Sequence, residues 1–144
     1  MRVWNIDPKL LCNQHLLGEH FEIHCFRGSI IKNKSIKGYI EKGFVEVHNL
    51  RKRHNKLAEE IINRGMNHKS EFEKCKHWEA GIIDIQENLK ELKKRCGACN
   101  YRIEMDETIN ILAKRIADII DEEIINDIIK KSRGEINEDC MGER

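Results

Sequence analysis

The sequence predicts an all-α fold, a compact single-domain helical body followed by an extra C-terminal helix. Apolar residues recur at intervals of three and four, strand-like alternation is scarce, and no internal repeat or low-complexity segment is present. The 144 residues allow one modest core, and 35% charged against 40% hydrophobic residues is typical of a globular protein. We expect a helical domain over residues 1–100 and an acidic helix and tail over residues 101–144.

The first helix is predicted from about Pro8 to His24. Asp7 can accept hydrogen bonds from the free amides of the first turn, and proline is tolerated at the first helical position. A second short helix is predicted over residues 26–33, and the two glycines in residues 34–43 favour a loop.

Later apolar patterns predict the remaining helices. One covers Phe44–Arg64, and Gly65 is a natural C-terminal cap because glycine adopts the left-handed conformation easily. Residues 66–76 are expected to connect it to a helix over Trp78–Arg95. The longest helical pattern covers residues 106–131.

The net charge of +1 conceals an asymmetry between the two parts of the chain. Residues 1–102 carry 20 Lys and Arg against 13 Asp and Glu, whereas residues 103–144 carry 6 against 12. A basic body favours a polyanionic ligand, although a merely solvated basic surface is the alternative. No apolar run approaches the roughly 20 residues that span a bilayer, and the N-terminus lacks a secretory signal pattern. We therefore expect a cytoplasmic protein without a membrane partner.

The first predicted helix carries a polar face. His15, Glu19 and Glu22 are spaced i, i+4 and i+7 and therefore share one side of a helix, and Arg2 lies near the N-terminus. From spacing alone, a solvated helix face with an acidic pair is the simpler interpretation.

The order of residues in this helix favours a catalytic interpretation. Residues 14–22 (QHLLGEHFE) resemble the pyrimidine-dimer DNA glycosylase family of the endonuclease V type, whose members carry Gln-His-Leu, two residues, Glu, two residues and Glu near the N-terminus. The resemblance continues in Leu50–Arg53 (LRKR) and Arg64–Ser70 (RGMNHKS), so it covers roughly residues 1–72. Several separated motifs in the same order are more specific than any one of them.

The resemblance implies a DNA repair enzyme that acts on damaged double-stranded DNA without a cofactor. In this family the nucleophile is the α-amine of the first residue, which here is Met1, because the large Arg2 disfavours removal of the methionine. The family's catalytic glutamate falls on Glu22. Amine attack on the sugar releases the base and leaves a Schiff base, so the enzyme is both an N-glycosylase and an abasic-site lyase.

The resemblance also implies DNA contacts. Arg2 and His15 would hold phosphates and position the lesion. The phage enzyme of this family has arginines where this chain has Phe21 and Cys25. For this chain, a preference for pyrimidine dimers is therefore less well supported than the roles of the amine and the glutamate. The other predicted DNA-binding residues are Glu19, His24, Arg27, Arg51 and Arg53, for which a solvated surface is the alternative.

Six cysteines include the pair Cys96-x-x-Cys99. This pair could form half of a zinc site with Cys75 and His77, but structural zinc sites need four ligands and the Cys75-x-His77 spacing is short. We expect reduced thiols and no metal ion, because disulfides are rare in the cytoplasm.

Residues 106–131 carry apolar side chains on more than one helix face, which indicates core packing or self-association through this segment. Two further functions remain open. A non-catalytic DNA-binding protein of the same fold would explain the loss of the two arginines, and an oligomeric helical interaction protein would explain the C-terminal segment.

Overall fold

The N-terminal third of the protein is built on one long helix, α1 (Asn13–Ile31), in a computed structural model that describes the backbone of residues 1–141 and the side chains of residues 1–133. Pro8–Leu10 form a separate 3-10 turn, and the Asp7 carboxylate accepts from the Lys9 amide as predicted. Helix was predicted correctly over most of α1, but the predicted bounds were wrong. Leu11 and Cys12 are extended, so α1 starts after Pro8, and no break after His24 separates a second short helix.

Two short segments differ from the predictions. Residues 37–41, predicted as loop, form the helix α2 (Lys37–Glu41), which packs Tyr39 edge-on against Phe26. Helix α3 (Leu50–Asn63) begins later than predicted, after a 3-10 turn over Val47–Asn49.

A left-handed glycine follows α3. Gly65 has a φ of +77° after Arg64, the last predicted helical residue, in agreement with the cap that the sequence indicated. The long connection predicted after it continues beyond Lys76, up to Asp84.

Helix α4 (Ile85–Arg95) is shorter than the predicted helix from Trp78, because Gly81 prevents helix formation upstream. Gly81 has a φ of +88°, and a Cβ atom there would lie 2.0 Å from the Val45 carbonyl oxygen. The extended segment around Gly81 is held by a backbone hydrogen bond of ordinary length, 2.9 Å from Val47 N to Ala80 O.

Helix α5 (Gly97–Met141) follows after the single non-helical residue Cys96. The chain divides into two compact units, residues 1–104 and residues 105 onward. In the second unit, every large apolar side chain that the structure describes is at least 43% exposed. Residues 106–131 are helical, as predicted. Their described large apolar side chains are exposed, so they do not form a buried core within this chain.

The core of the first unit lies between α1, α3, α4 and the start of α5. Fully or nearly fully buried side chains come from each: Leu16, Ile23 and Phe26 from α1, Leu57 and Ile61 from α3, Leu92 from α4, and Cys99 and Ile103 from α5. Among residues 1–141 no strand occurs, so the predicted all-α class is confirmed. None of the described helices has the length and apolar character needed to cross a membrane.

Candidate active site and metal-binding clusters

The N-terminus lies against the carboxylate of Glu22. The backbone N–H of Arg2 donates to Glu22 Oε2 over 2.6 Å. The Met1 α-nitrogen is separated from that amide only by the Cα and carbonyl carbon of Met1, and the Met1 residue is 36% exposed. The fold therefore brings the two predicted catalytic groups together at an accessible position, although they are 21 residues apart in the sequence.

The residues that follow Met1 are fixed on several sides. Val3 N donates to the Phe44 carbonyl oxygen over 2.8 Å, and Trp4 N donates to Glu19 Oε1 over 3.1 Å. The amide of Asn88, on α4, donates to the Trp4 carbonyl oxygen over 2.8 Å. These bonds hold the segment that follows Met1 in one position relative to α1.

Glu19 has a structural role in this arrangement. Its carboxylate forms a two-point ion pair with Arg53, with Nε–Oε1 and Nη2–Oε2 distances of 2.7 and 2.9 Å. The side chains are 0% and 4% exposed. Both were predicted to contact DNA, and in this structure neither side chain is accessible to it. We therefore assign them to holding α1, α3 and the N-terminal segment together.

The Arg2 side chain is anchored close to the amine. Its guanidinium lies 4.6 Å from the ring centres of both Trp4 and Phe44 and donates to Asn88 Oδ1 over 2.6 Å. Asn88 is a residue that the sequence analysis missed, because a single asparagine in an unremarkable helix gives no signal. It fixes both the backbone and the side chain of the N-terminal segment.

The other residues predicted to contact DNA differ in exposure and in whether they are already paired. Arg51 is exposed on α3. Arg27 donates to both the carbonyl and the carboxylate oxygen of Glu73, so it is already paired. Phe21, which stands where the phage enzyme has an arginine, is 68% exposed immediately before Glu22.

His15, predicted to hold a phosphate, lies in a cluster of cysteines. Its Nδ1 atom is 3.2 Å from Cys12 Sγ and 3.6 Å from Cys99 Sγ, and Cys12 Sγ is 3.9 Å from Cys96 Sγ. Burial raises the pKa of the Cys99 thiol to about 12, whereas the Cys99 amide lowers that of Cys96. The four side chains could hold a metal ion, since all four donor atoms lie within 4.8 Å of one another.

The partners predicted for Cys96 and Cys99 in a zinc site were wrong. Cys75 and His77 belong to neither potential metal-binding group among the described side chains, and they line a groove with Phe72. The better signal was the Cys12-x-x-His15 spacing, which repeats that of Cys96-x-x-Cys99. It was missed because His15 belongs to the catalytic motif, where it was interpreted as a DNA contact.

A second cluster gathers three histidines between α1, α3 and the connection that follows α3. His20 Nε2 lies 3.1 Å from His54 Nε2 and 3.0 Å from His68 Nε2, and these three nitrogens could also hold a metal ion. His24, predicted to bind DNA, points into the same cluster with its Nε2 buried and unpaired.

This cluster is expected to make stability depend on pH. Burial, followed by the neighbouring rings of His54, His24 and His68, lowers the pKa of His20 from 6.5 to about 4. The folded state therefore holds His20 neutral while the unfolded state binds a proton. Its contribution is fully present above pH 6.5 and is lost as the pH falls from 6.5 to about 4.

With a chelator present, we expect the free energy of unfolding to fall by on the order of 2 kcal/mol across this range. Urea unfolding at several pH values measures the slope. His20→Gln should flatten it, and His77→Gln, on an exposed residue, should leave it unchanged. Equal slopes in wild type and His20→Gln would contradict the assignment.

Comparison with known proteins agrees with the N-terminal motifs. No curated protein and no solved structure matches the chain. The family model described as pyrimidine dimer DNA glycosylase matches residues 1–74, half of the chain, including Met1, Glu22 and α3. The chain therefore belongs to the pyrimidine dimer DNA glycosylase family.

Proposed function

We propose that this protein excises pyrimidine dimers from double-stranded DNA and then nicks the strand at the resulting abasic site. The Met1 α-amine is the nucleophile and Glu22 is the catalytic carboxylate. The observation that carries the proposal is the 2.6 Å hydrogen bond from the Arg2 amide to Glu22 Oε2, which holds the chain terminus beside that carboxylate.

The chemistry uses one amine in two steps. The neutral α-amine forms a bond to C1′ of the damaged nucleotide, the bond from C1′ to the base breaks, and the base leaves with the electron pair and takes up a proton. Ring opening yields an imine between Met1 and C1′, from which loss of a C2′ proton expels the 3′ phosphate. Because α-amines are less basic than lysine side chains, a larger fraction is neutral near pH 7.

Glu22 acts on the charge that this reaction creates. Its carboxylate stabilises the positive charge that develops on the sugar. It can also accept the proton that the attacking amine loses and give it to the ring oxygen O4′ as the C1′–O4′ bond breaks. The neighbouring Arg2 guanidinium, held by Asn88, supplies positive charge for a phosphate on the lesion strand. The target nucleotide, or its partner, is rotated out of the duplex to reach the amine.

The DNA interface that we propose extends from this site over the exposed part of the basic body. Arg51 remains as a phosphate contact on α3, whereas the buried Arg53 does not. Phe21 projects beside Glu22 and offers an apolar surface on which a base can stack, in place of the arginine of the phage enzyme.

Borohydride trapping tests the proposal. The full chain is incubated with duplex carrying either a cyclobutane dimer or an abasic site, sodium borohydride is added, and the adduct is located by peptide mass spectrometry. We expect a covalent complex with both substrates, attached at Met1. The same chain acetylated at its N-terminus should form no complex.

The non-catalytic alternative is favoured by one observation, the replacement of two arginines by Phe21 and Cys25. Binding of duplex DNA without nicking or trapping on either substrate would establish that alternative and overturn the enzymatic proposal. Trapping on abasic DNA alone would retain the amine chemistry and remove the preference for dimers.

We further propose that α5 associates with a second copy of the chain through residues 106–131. The supporting observation is that its apolar side chains are exposed on the isolated chain; they include Ile109, Leu112, Ile116, Ile119, Ile120 and Ile124. Light scattering should give a multiple of the 17.0 kDa chain mass. Ile116→Gln combined with Ile120→Gln should return it to the monomer mass, and a wild-type mass of 17.0 kDa would contradict association.

A further inference from the structure

We propose that Cys12, His15, Cys96 and Cys99 bind one zinc ion, which joins the start of α1 to the junction of α4 and α5. The four residues form two pairs, Cys12-x-x-His15 and Cys96-x-x-Cys99, each with two intervening residues. Two such pairs from distant parts of a chain are a common way to supply the four ligands of a structural zinc site.

All four donor atoms lie within 4.8 Å of one another, and three of their separations can be compared with those of a tetrahedral zinc site. With Zn–S bonds of about 2.3 Å and Zn–N bonds of about 2.0–2.1 Å, two sulfurs lie about 3.8 Å apart and a sulfur and a nitrogen about 3.6 Å apart. The observed separations are 3.9 Å between the Sγ atoms of Cys12 and Cys96, and 3.6 and 3.2 Å from His15 Nδ1 to Cys99 and Cys12.

Backbone amides and helix N-termini direct positive charge at the three sulfurs. Cys12 N donates to Cys99 Sγ over 3.2 Å, and Cys99 N donates to Cys96 Sγ over 3.4 Å. Cys12 is the N-terminal cap of α1, and Cys96 directly precedes α5, so two of the sulfurs lie at helix N-termini, where the partial positive charge favours anions. Trp4 packs edge-on against His15 and helps fix its ring orientation.

The donor set selects the metal. Three sulfurs and one imidazole favour zinc over magnesium or calcium, which prefer oxygen ligands. Four protein ligands leave no open position, and Cys99 is fully buried, so the site is structural and not catalytic. A disulfide between Cys96 and Cys99 would use two of the donors and leave Cys12 and His15 without a common partner.

The proposed zinc site lies at the start of α1 and therefore affects the active site, which lies further along the same helix. The metal orders the first turn of α1, the helix that carries Glu19 and Glu22 further along. It also occupies His15, which then holds the ion and not a DNA phosphate. The inference rests on the geometry of these four residues alone, so it stands whether or not the catalytic proposal does.

Metal analysis of the full chain, purified under reducing conditions and without a histidine tag, tests the site. We expect one zinc ion per chain by mass spectrometry, and cobalt substitution should give the intense near-ultraviolet band of sulfur-to-cobalt charge transfer and visible bands of a tetrahedral ion. Zinc at 100 times its Kd should raise Tm of the metal-free chain by on the order of 10 °C.

Matched variants locate the ion. Cys96→Ser should lose the stoichiometric zinc, whereas Cys75→Ser and His20→Gln should retain both zinc and the charge-transfer band. If Cys96→Ser fails to fold, alkylation of wild type decides the question: zinc should slow the reaction of Cys12 and Cys96 and leave that of Cys25 and Cys75 unchanged. Absence of a charge-transfer band in wild type, loss of it in Cys75→Ser, or a disulfide between Cys96 and Cys99 in the reduced preparation would overturn the proposal.

Discussion

Replacing Glu22 by glutamine is expected to lower the rate of base release by about 10²–10⁴-fold. Glutamine keeps an oxygen that can accept the Arg2 amide hydrogen bond, so the N-terminal segment should remain in place. It removes the negative charge that stabilises the developing cation on the sugar. The loss should therefore appear in the rate of the chemical step and not in DNA affinity or in the free energy of unfolding.

Single-turnover kinetics on a dimer-containing duplex measure this effect, with DNA affinity and urea unfolding measured in parallel. Glu79→Gln, which changes an exposed carboxylate in the connection before α4, is the matched control and should keep the wild-type rate. Trapping on abasic DNA reports the amine separately, because the amine and the carboxylate serve different steps. A Glu22→Gln chain with the wild-type rate of base release would contradict the proposed role.

Replacing Arg53 by alanine is expected to lower the free energy of unfolding by about 3–5 kcal/mol. The Glu19 carboxylate would remain at a fully buried position and lose both hydrogen bonds from the guanidinium. Its only remaining described partners are the backbone amides of Trp4 and Asn5. The N-terminal segment should consequently loosen, so that trapping at Met1 slows as well.

Urea unfolding measures the first effect, and Arg51→Ala, two residues away and exposed, is the matched control. We expect that control to change stability by less than about 0.5 kcal/mol and to weaken DNA binding instead. If the two variants were equally stable, the buried ion pair would not have the structural role assigned to it here.

The helices were predicted better than their boundaries. The buried side of α1 is formed by Leu16, Ile23 and Phe26, and only the tertiary structure identifies it, because Leu17 and Phe21 on the same helix are equally apolar and are exposed. The start of α4 was misplaced because Gly81 has to approach the Val45 carbonyl closely, a contact between distant parts of the chain. Local propensity contains no information about such a contact.

For the predicted site too, the sequence motif and the tertiary structure contributed different parts. The motif indicated Met1 and Glu22, and the fold brings the terminus to that glutamate. The same motif gave Glu19 and His15 similar weight as DNA contacts, because all three residues share one face of an ideal helix. In the folded chain, a different neighbour meets each of them: Arg53 meets Glu19, and Cys99 meets His15.

The sequence by itself determined the helical class, the family and the candidate amine and glutamate, since these follow from local spacing and from an ordered set of motifs. Only the tertiary structure decided which polar groups are buried, which are paired and which cysteines meet. The physical reason is that burial and pairing depend on the residues that long-range packing places opposite a side chain. It was this packing that moved Glu19 from a DNA contact to a buried ion pair, and His15 to a zinc ligand.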